Sequence, residues 1–144
     1  MSATVSTTHG YSGTPLARKL GIASGMTVVL VDAPADFPET LDPPEGVRLR
    51  TRLQGSLDVI VCFAVERARL ARRLDALRRA LPDAGGLWIA WPKRASGVAT
   101  DVTENVLREL ILPTGLVDNK VCAIDETWSG LRFVVRLSDR GTGH

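Results

Sequence analysis

Between Trp91 and Asp101 the sequence reads WPKRASGVATD, a run rich in residue types that can hold an anion. Lys93 and Arg94 supply two cations, Ser96 and Thr100 two hydroxyls, and Gly97 a point where the backbone can come close to a ligand. Asp101 stands where a helix is expected to begin, and the free N–H groups of a helix start would add to such a site. The ligand that this chemistry suits is a small anion or a nucleotide. The competing reading is a capped loop carrying two solvated cations. Nothing in the sequence orients Lys93 and Ser96 as a nucleophile pair, and no G-x-S-x-G elbow accompanies them.

Two further places carry chemistry. The stretch DETWSG holds Asp125, Glu126 and Trp128 at an expected hairpin tip. Paired carboxylates there could move protons or take a divalent cation, although hairpin tips are commonly polar in any case. Asp32 closes the first apolar run; its competing role is to cap the turn that follows. The segment ERARLARRLDALRRALPDAGG concentrates arginines, which could touch phosphates. Leucines at Leu70, Leu74, Leu77 and Leu81 mark its inner face, and no aromatic residues interleave with the arginines, so a solvated face is the preferred reading and nucleic acid is not the expected partner.

Composition narrows the classes. The chain has 144 residues, 44% of them hydrophobic and 24% charged, as expected of one globular domain with a core. A net charge of +2 is too small to argue for nucleic acid. No apolar run is long enough to span a membrane, and MSATVSTTHG has neither the basic nor the apolar segment of a signal peptide. A cytoplasmic protein is expected, with Cys62 and Cys122 as buried, slow-reacting thiols in apolar strands. The two histidines, His9 and His144, fall in the expected tails. That removes Ser-His-Asp chemistry and histidine metal sites from the core. No catalytic set, metal site or bound cofactor is expected. The sequence carries no marker of oligomeric state.

The elements that must position these residues follow from periodicity. Thr14-Pro15 is a helix start. MTVVLVDAP (26–34) and LDVIVCFAV (57–65) are continuous apolar runs, the pattern of strands buried on both faces. Residues 35–46 leave room for one short helix. VRLRTRL (47–53) suggests a half-exposed edge strand. It stands too close to 57–65 for a parallel crossover between the two, so it is expected to be an antiparallel edge, a distant strand reached by a bend, or no strand. A helix over 66–81 precedes the buried strand LWIAW. A helix over 101–112, capped from Asp101 with Glu104 or Thr100 with Thr103, buries Val102, Val106, Leu107 and Leu110. Two strands joined by about six residues, DETWSG, make a terminal antiparallel hairpin. The expected fold is α/β: a single-domain, Rossmann-like three-layer sandwich over 11–137, with a mostly parallel sheet and disordered tails at 1–10 and 138–144.

The order of elements over roughly 14–137, and the pieces LARKLGIASGMTVVLVD, LDVIVCF and LPDAGGLWIA, resemble a class I methyltransferase that uses S-adenosylmethionine. That resemblance implies a methyltransferase-like fold, with an acid at Asp32 where the family keeps one. After Asp32 the chain departs from the family pattern. Ala33-Pro34-Ala35-Asp36-Phe37 stands where the family has its glycine loop, and VRLRTRL is not followed by the ribose-holding acid. The departure predicts no useful binding of S-adenosylmethionine. YSGTPLARKLGI, WPKRASGVATDVT and VCAIDETWSGLRFV resemble a family of small, mainly actinobacterial proteins called domain of unknown function 3052, a likeness that implies no particular activity. The expectation is therefore a small non-catalytic binding or regulatory protein on a degenerate methyltransferase-like fold. The alternatives are a minimal methyltransferase with an altered cofactor loop and an arginine-helix module for nucleic acid or protein.

Overall fold

In the computed structural model, which describes residues 14–140, six strands form one sheet. The elements run α1 (Leu16–Lys19), β1 (Thr27–Val31), α2 (Phe37–Leu41), β2 (Arg48–Arg50), β3 (Val59–Phe63), α3 (Arg67–Ala80), β4 (Gly86–Pro92), α4 (Glu104–Ile111), β5 (Leu116–Ala123) and β6 (Trp128–Val135). The strand order is β2-β1-β3-β4-β6-β5. The first four are parallel, while β6 runs antiparallel to both β4 and β5. This is the expected single α/β domain with a mostly parallel sheet and a C-terminal hairpin.

The continuous apolar runs are strands because both of their faces are covered. β1, β3 and β4 are buried at every position. On one face Val29, Ile60, Cys62, Ile89 and Phe133 pack beneath α3 and α4, which contribute Leu70, Leu77, Leu107 and Ile111. On the other, Val28, Val61, Phe63 and Trp88 pack beneath α1 and α2, which contribute Leu20, Phe37 and Leu41. Trp88 is fully buried, and its indole Nε1 donates to the Leu20 carbonyl at 2.9 Å, tying the end of α1 to the sheet centre. Gly130 lies against this tryptophan, where a Cβ would stand 3.1 Å from both Trp88 and Ile124.

Several local expectations are corrected. The segment 47–53 contributes a three-residue strand that pairs parallel to β1, with Thr27 opposite Arg48. β2 and β3 do not neighbour each other: they lie on opposite sides of β1. The link is still a parallel crossover, but it is short because β2 is only three residues long and ends at Arg50, level with Val29, one residue from the Val28 that Val59 faces. α4 begins at Glu104 rather than at 101, because Thr103 is its cap and accepts from the Val106 N–H at 3.2 Å. Pro15, not Thr14, is the residue at the N-cap position of α1. Trp128, Ser129 and Gly130 belong to β6, so the hairpin link is shorter than the expected DETWSG turn. Leu137–Asp139 forms a 3-10 turn inside the expected C-terminal tail. The N-terminal tail and both histidines fall outside the described residues. Cys62 is buried, whereas Cys122 is only half-buried, which corrects the expectation of two buried thiols.

Candidate functional site

The chain direction reverses across the sheet at β1, since β2 lies on one side of it and β3 on the other. In open α/β sheets the crevice beyond the carboxyl ends of strands at such a reversal is the usual ligand site. The sequence candidates come from loops at this end of the sheet, except Trp128, which opens β6. Asp32 follows β1, the loop 93–103 follows β4, and Asp125 and Glu126 precede β6.

Asp32 is the centre of the crevice. It leaves β1 with φ +57°, the left-handed region that glycine or asparagine enters more easily. Its carboxylate is held by two guanidiniums from successive turns of α3. Arg69 grips it with two bonds, Nε to Oδ2 at 3.0 Å and Nη2 to Oδ1 at 3.2 Å. Arg73 Nη2 reaches Oδ1 at 3.2 Å and Oδ2 at 3.1 Å. The Arg69 bond and the charge of Arg73 hold the Asp32 carboxyl below its ordinary value, against the opposing effect of burial. The same pair raises Arg69. Arg73 Nε is buried without a hydrogen-bond partner among the described residues. Cys62 lines the crevice from below, and burial together with the nearby Asp32 charge pushes its thiol up to about 12. The space left among these groups is about 10 Å³.

The opposite face of the same strand ends is filled by aromatic rings. Phe37, at the start of α2, meets Phe63 edge-on with centroids 4.9 Å apart. Phe63 in turn meets Trp128 at 4.9 Å and 86°. The β1–α2 loop, the end of β3 and the hairpin tip are thereby packed against one another, with Phe37 only 2% exposed.

The loop after β4 uses most of its polar groups internally. The Lys93 N–H donates to the Thr127 carbonyl at 2.8 Å, joining the loop to the hairpin tip. Ser96 Oγ donates to the Lys93 carbonyl at 2.7 Å and accepts from the Val98 N–H. Gly97, at φ +77°, closes the 3-10 turn Arg94–Ser96. The Thr100 hydroxyl donates to the Val65 carbonyl and accepts from the Val102 N–H. Asp101 accepts from the Arg67 N–H at 2.7 Å and so caps α3, a helix 34 residues upstream, in place of the helix that follows it. Arg94 is exposed. In the hairpin tip, Asp125 Oδ1 accepts from the N–H groups of Thr127 and Trp128, both at 2.8 Å, while Glu126 is exposed and Trp128 is half-buried in the aromatic row.

The structure thus brings Asp32 together with α3, and Lys93 and Trp128 with the hairpin. It spends Ser96, Thr100, Asp101 and Asp125 on turns and caps. Arg69 and Arg73 are the site residues that sequence reasoning missed. Their signal was present: they stand four apart, on one flank of the leucine stripe. Of the four other arginines of α3, two are engaged within the molecule, while Arg72 and Arg79 are exposed. Arg67 pairs with Glu109 at 3.2 Å, and Arg78 donates to the Thr114 carbonyl at 3.0 Å. Among the described residues no group of His, Cys, Asp or Glu is placed to hold a metal ion, and no helix is long and apolar enough to cross a membrane.

The overall fold is matched in solved structures. The fold is that of the S-adenosylmethionine-dependent methyltransferases. A SAM-dependent methyltransferase from Aquifex aeolicus superposes with a TM-score of 0.56 at 14% identity, over 83% of this chain and 88% of the other. A type 11 methyltransferase from Sulfolobus solfataricus, described as putative, gives 0.56 at 16% identity, over 90% and 92%. An O-methyltransferase family 2 protein from Planctomyces limnophilus gives 0.58 at 12% identity over 78% of this chain, which spans 50% of that protein's length. No protein-family model and no curated protein matches the chain, so no match supports the resemblance to family 3052.

Proposed function

We propose that this chain is a small binding or regulatory protein that keeps the methyltransferase fold without the methyl-transfer site. The observation that carries this reading is the Asp32 clamp at the sheet reversal. Methyltransferases of this fold, as several of the matched proteins are described, use S-adenosylmethionine, and the residues here do not fit that group. A ligand of such size needs a pocket of roughly 300 Å³ or more, against about 10 Å³ beside Asp32. The β1–α2 loop has Pro34 and no glycine, so its backbone lacks one N–H and cannot approach a ligand as a glycine loop does. Phe37 occupies the space on the other face, packed against Phe63. Admitting the cofactor would require unpacking the buried Phe37 from the aromatic row, beyond any exchange of Asp32 at the arginines.

Calorimetric titration of the purified protein with S-adenosylmethionine tests the reading. No saturable heat is expected up to millimolar ligand. A micromolar dissociation constant would overturn it in favour of a minimal methyltransferase, the second reading, which is supported by the fold alone.

A further inference from the structure

We propose that Arg69 and Arg73 form a binding site for a phosphate-type oxyanion, with Asp32 as its built-in competitor. The proposal rests on reading the crevice as a ligand site rather than a methyl-transfer site.

The chemistry of the donors leads there. Two guanidiniums from successive turns of α3 converge on one point, at the sheet reversal where ligands of such folds bind. Paired guanidinium forks suit planar carboxylates and tetrahedral phosphates alike. Asp32 satisfies them incompletely. Its two oxygens take four contacts, yet Arg73 Nε stays buried and unpartnered. Its single negative charge also faces two positive ones. A phosphate monoester has three terminal oxygens and close to two charges at neutral pH, enough to pair with Arg73 Nε as well and to balance both guanidiniums. Glu66, the other carboxylate whose charge Arg69 feels, is exposed.

Exchange of Asp32 for an external anion is also accessible. The Asp32 side chain is 30% exposed and that of Arg69 54%, so the clamp opens to solvent on one side. Asp32 sits at φ +57°, a conformation that its carboxylate helps to hold through the clamp. An anion that took over the two arginines would release that constraint.

The test follows the Nε–H resonances of the arginine side chains by NMR. The native protein is titrated with inorganic phosphate and, separately, with adenosine monophosphate, against chloride at matched ionic strength. Arg69 and Arg73 are expected to shift with phosphate and not with chloride. Asp32→Asn should tighten phosphate binding tenfold or more, and Arg69→Gln with Arg73→Gln in that background should abolish it. Equal affinity for the two probes is expected, with the nucleoside left in solvent, because the crevice has no room for it; tenfold tighter nucleotide binding would contradict this assignment. If the two arginine resonances follow only ionic strength in the native protein and in Asp32→Asn, the proposal is overturned. The native titration decides alone if the variant does not fold. A null result here leaves the S-adenosylmethionine titration unaffected, so the two readings fail separately.

Discussion

Replacing Thr100 with valine and Asp101 with alanine together separates a structural loop from a binding loop. Thr100 makes two hydrogen bonds that link the loop to the end of β3 and to its own next turn, through the Val65 carbonyl and the Val102 N–H. Valine keeps the shape and removes both bonds. At about 0.5–1.5 kcal/mol for each bond, with water partly replacing them at this exposed position, the loss should be about 1–2 kcal/mol. Asp101 caps the first turn of α3 through the Arg67 N–H at 2.7 Å. Removing an N-cap costs about 1 kcal/mol. The two residues are neighbours, so their effects should combine to no more than the sum, about 2–3 kcal/mol, or a fall in Tm of roughly 5–10 °C for a domain of this size. Urea denaturation followed by circular dichroism measures it, with an unchanged m-value as the sign that only the native state has altered. Lys93→Ala and Arg94→Ala, at side chains for which no such bonds are found, should stay within about 0.5 kcal/mol of the parent. If the Thr100–Asp101 double variant lost less than about 0.5 kcal/mol, these bonds would not be what fixes the loop, and the polar residues there would have to be explained by a ligand.

Three other outcomes are expected. A thiol reagent at pH 8 should label Cys122 well before Cys62, whose thiol is pushed up to about 12 by burial; equal rates would contradict the packing around β3. Because the folded carboxyl of Asp32 lies below its ordinary value of 3.8, its contribution to stability is present above that pH and lost as pH falls through the folded value; Asp32→Asn should flatten the acid limb of a stability–pH curve and leave a curve of parental steepness only if the clamp is absent in solution. Gly130→Ala places a methyl 3.1 Å from Trp88 and Ile124 and should cost about 1–3 kcal/mol by overpacking, measured as a shift in denaturation midpoint.

Much of the architecture was legible because it depends on local pattern. Strands buried on both faces must be apolar throughout, so β1, β3 and β4 were visible as runs, and the leucine spacing gave α3. What escaped was set by partners distant in the chain. Asp101 looked like a cap for the helix after it, but its carboxylate reaches α3 across the loop. β2 looked misplaced because chain proximity to β3 suggested adjacency, whereas β1 lies between them. At the site, Asp32 could be picked out as the acid ending a buried strand. Its two arginines were hidden among six on one helix, and only the three-dimensional angle of that helix to β1 selects them.

The position of β6 bears on how the molecule reaches its folded state. It is inserted between β4 and β5, so the sheet cannot assemble in the order of the chain. β1, β3 and β4 can zip together around α3 while the apolar flank of β4, with Leu87 and Ile89 awaiting Phe133 and Leu131, stays an open edge. Such an edge is a template for another chain in the same condition. The hairpin is local and fast to form, but its docking onto β4 is not, since it must wait for α4 to turn the chain back. The hazard in this protein therefore lies in a half-built sheet rather than in the native surface. Conditions that slow the docking of the hairpin should favour aggregation even where the finished fold is stable.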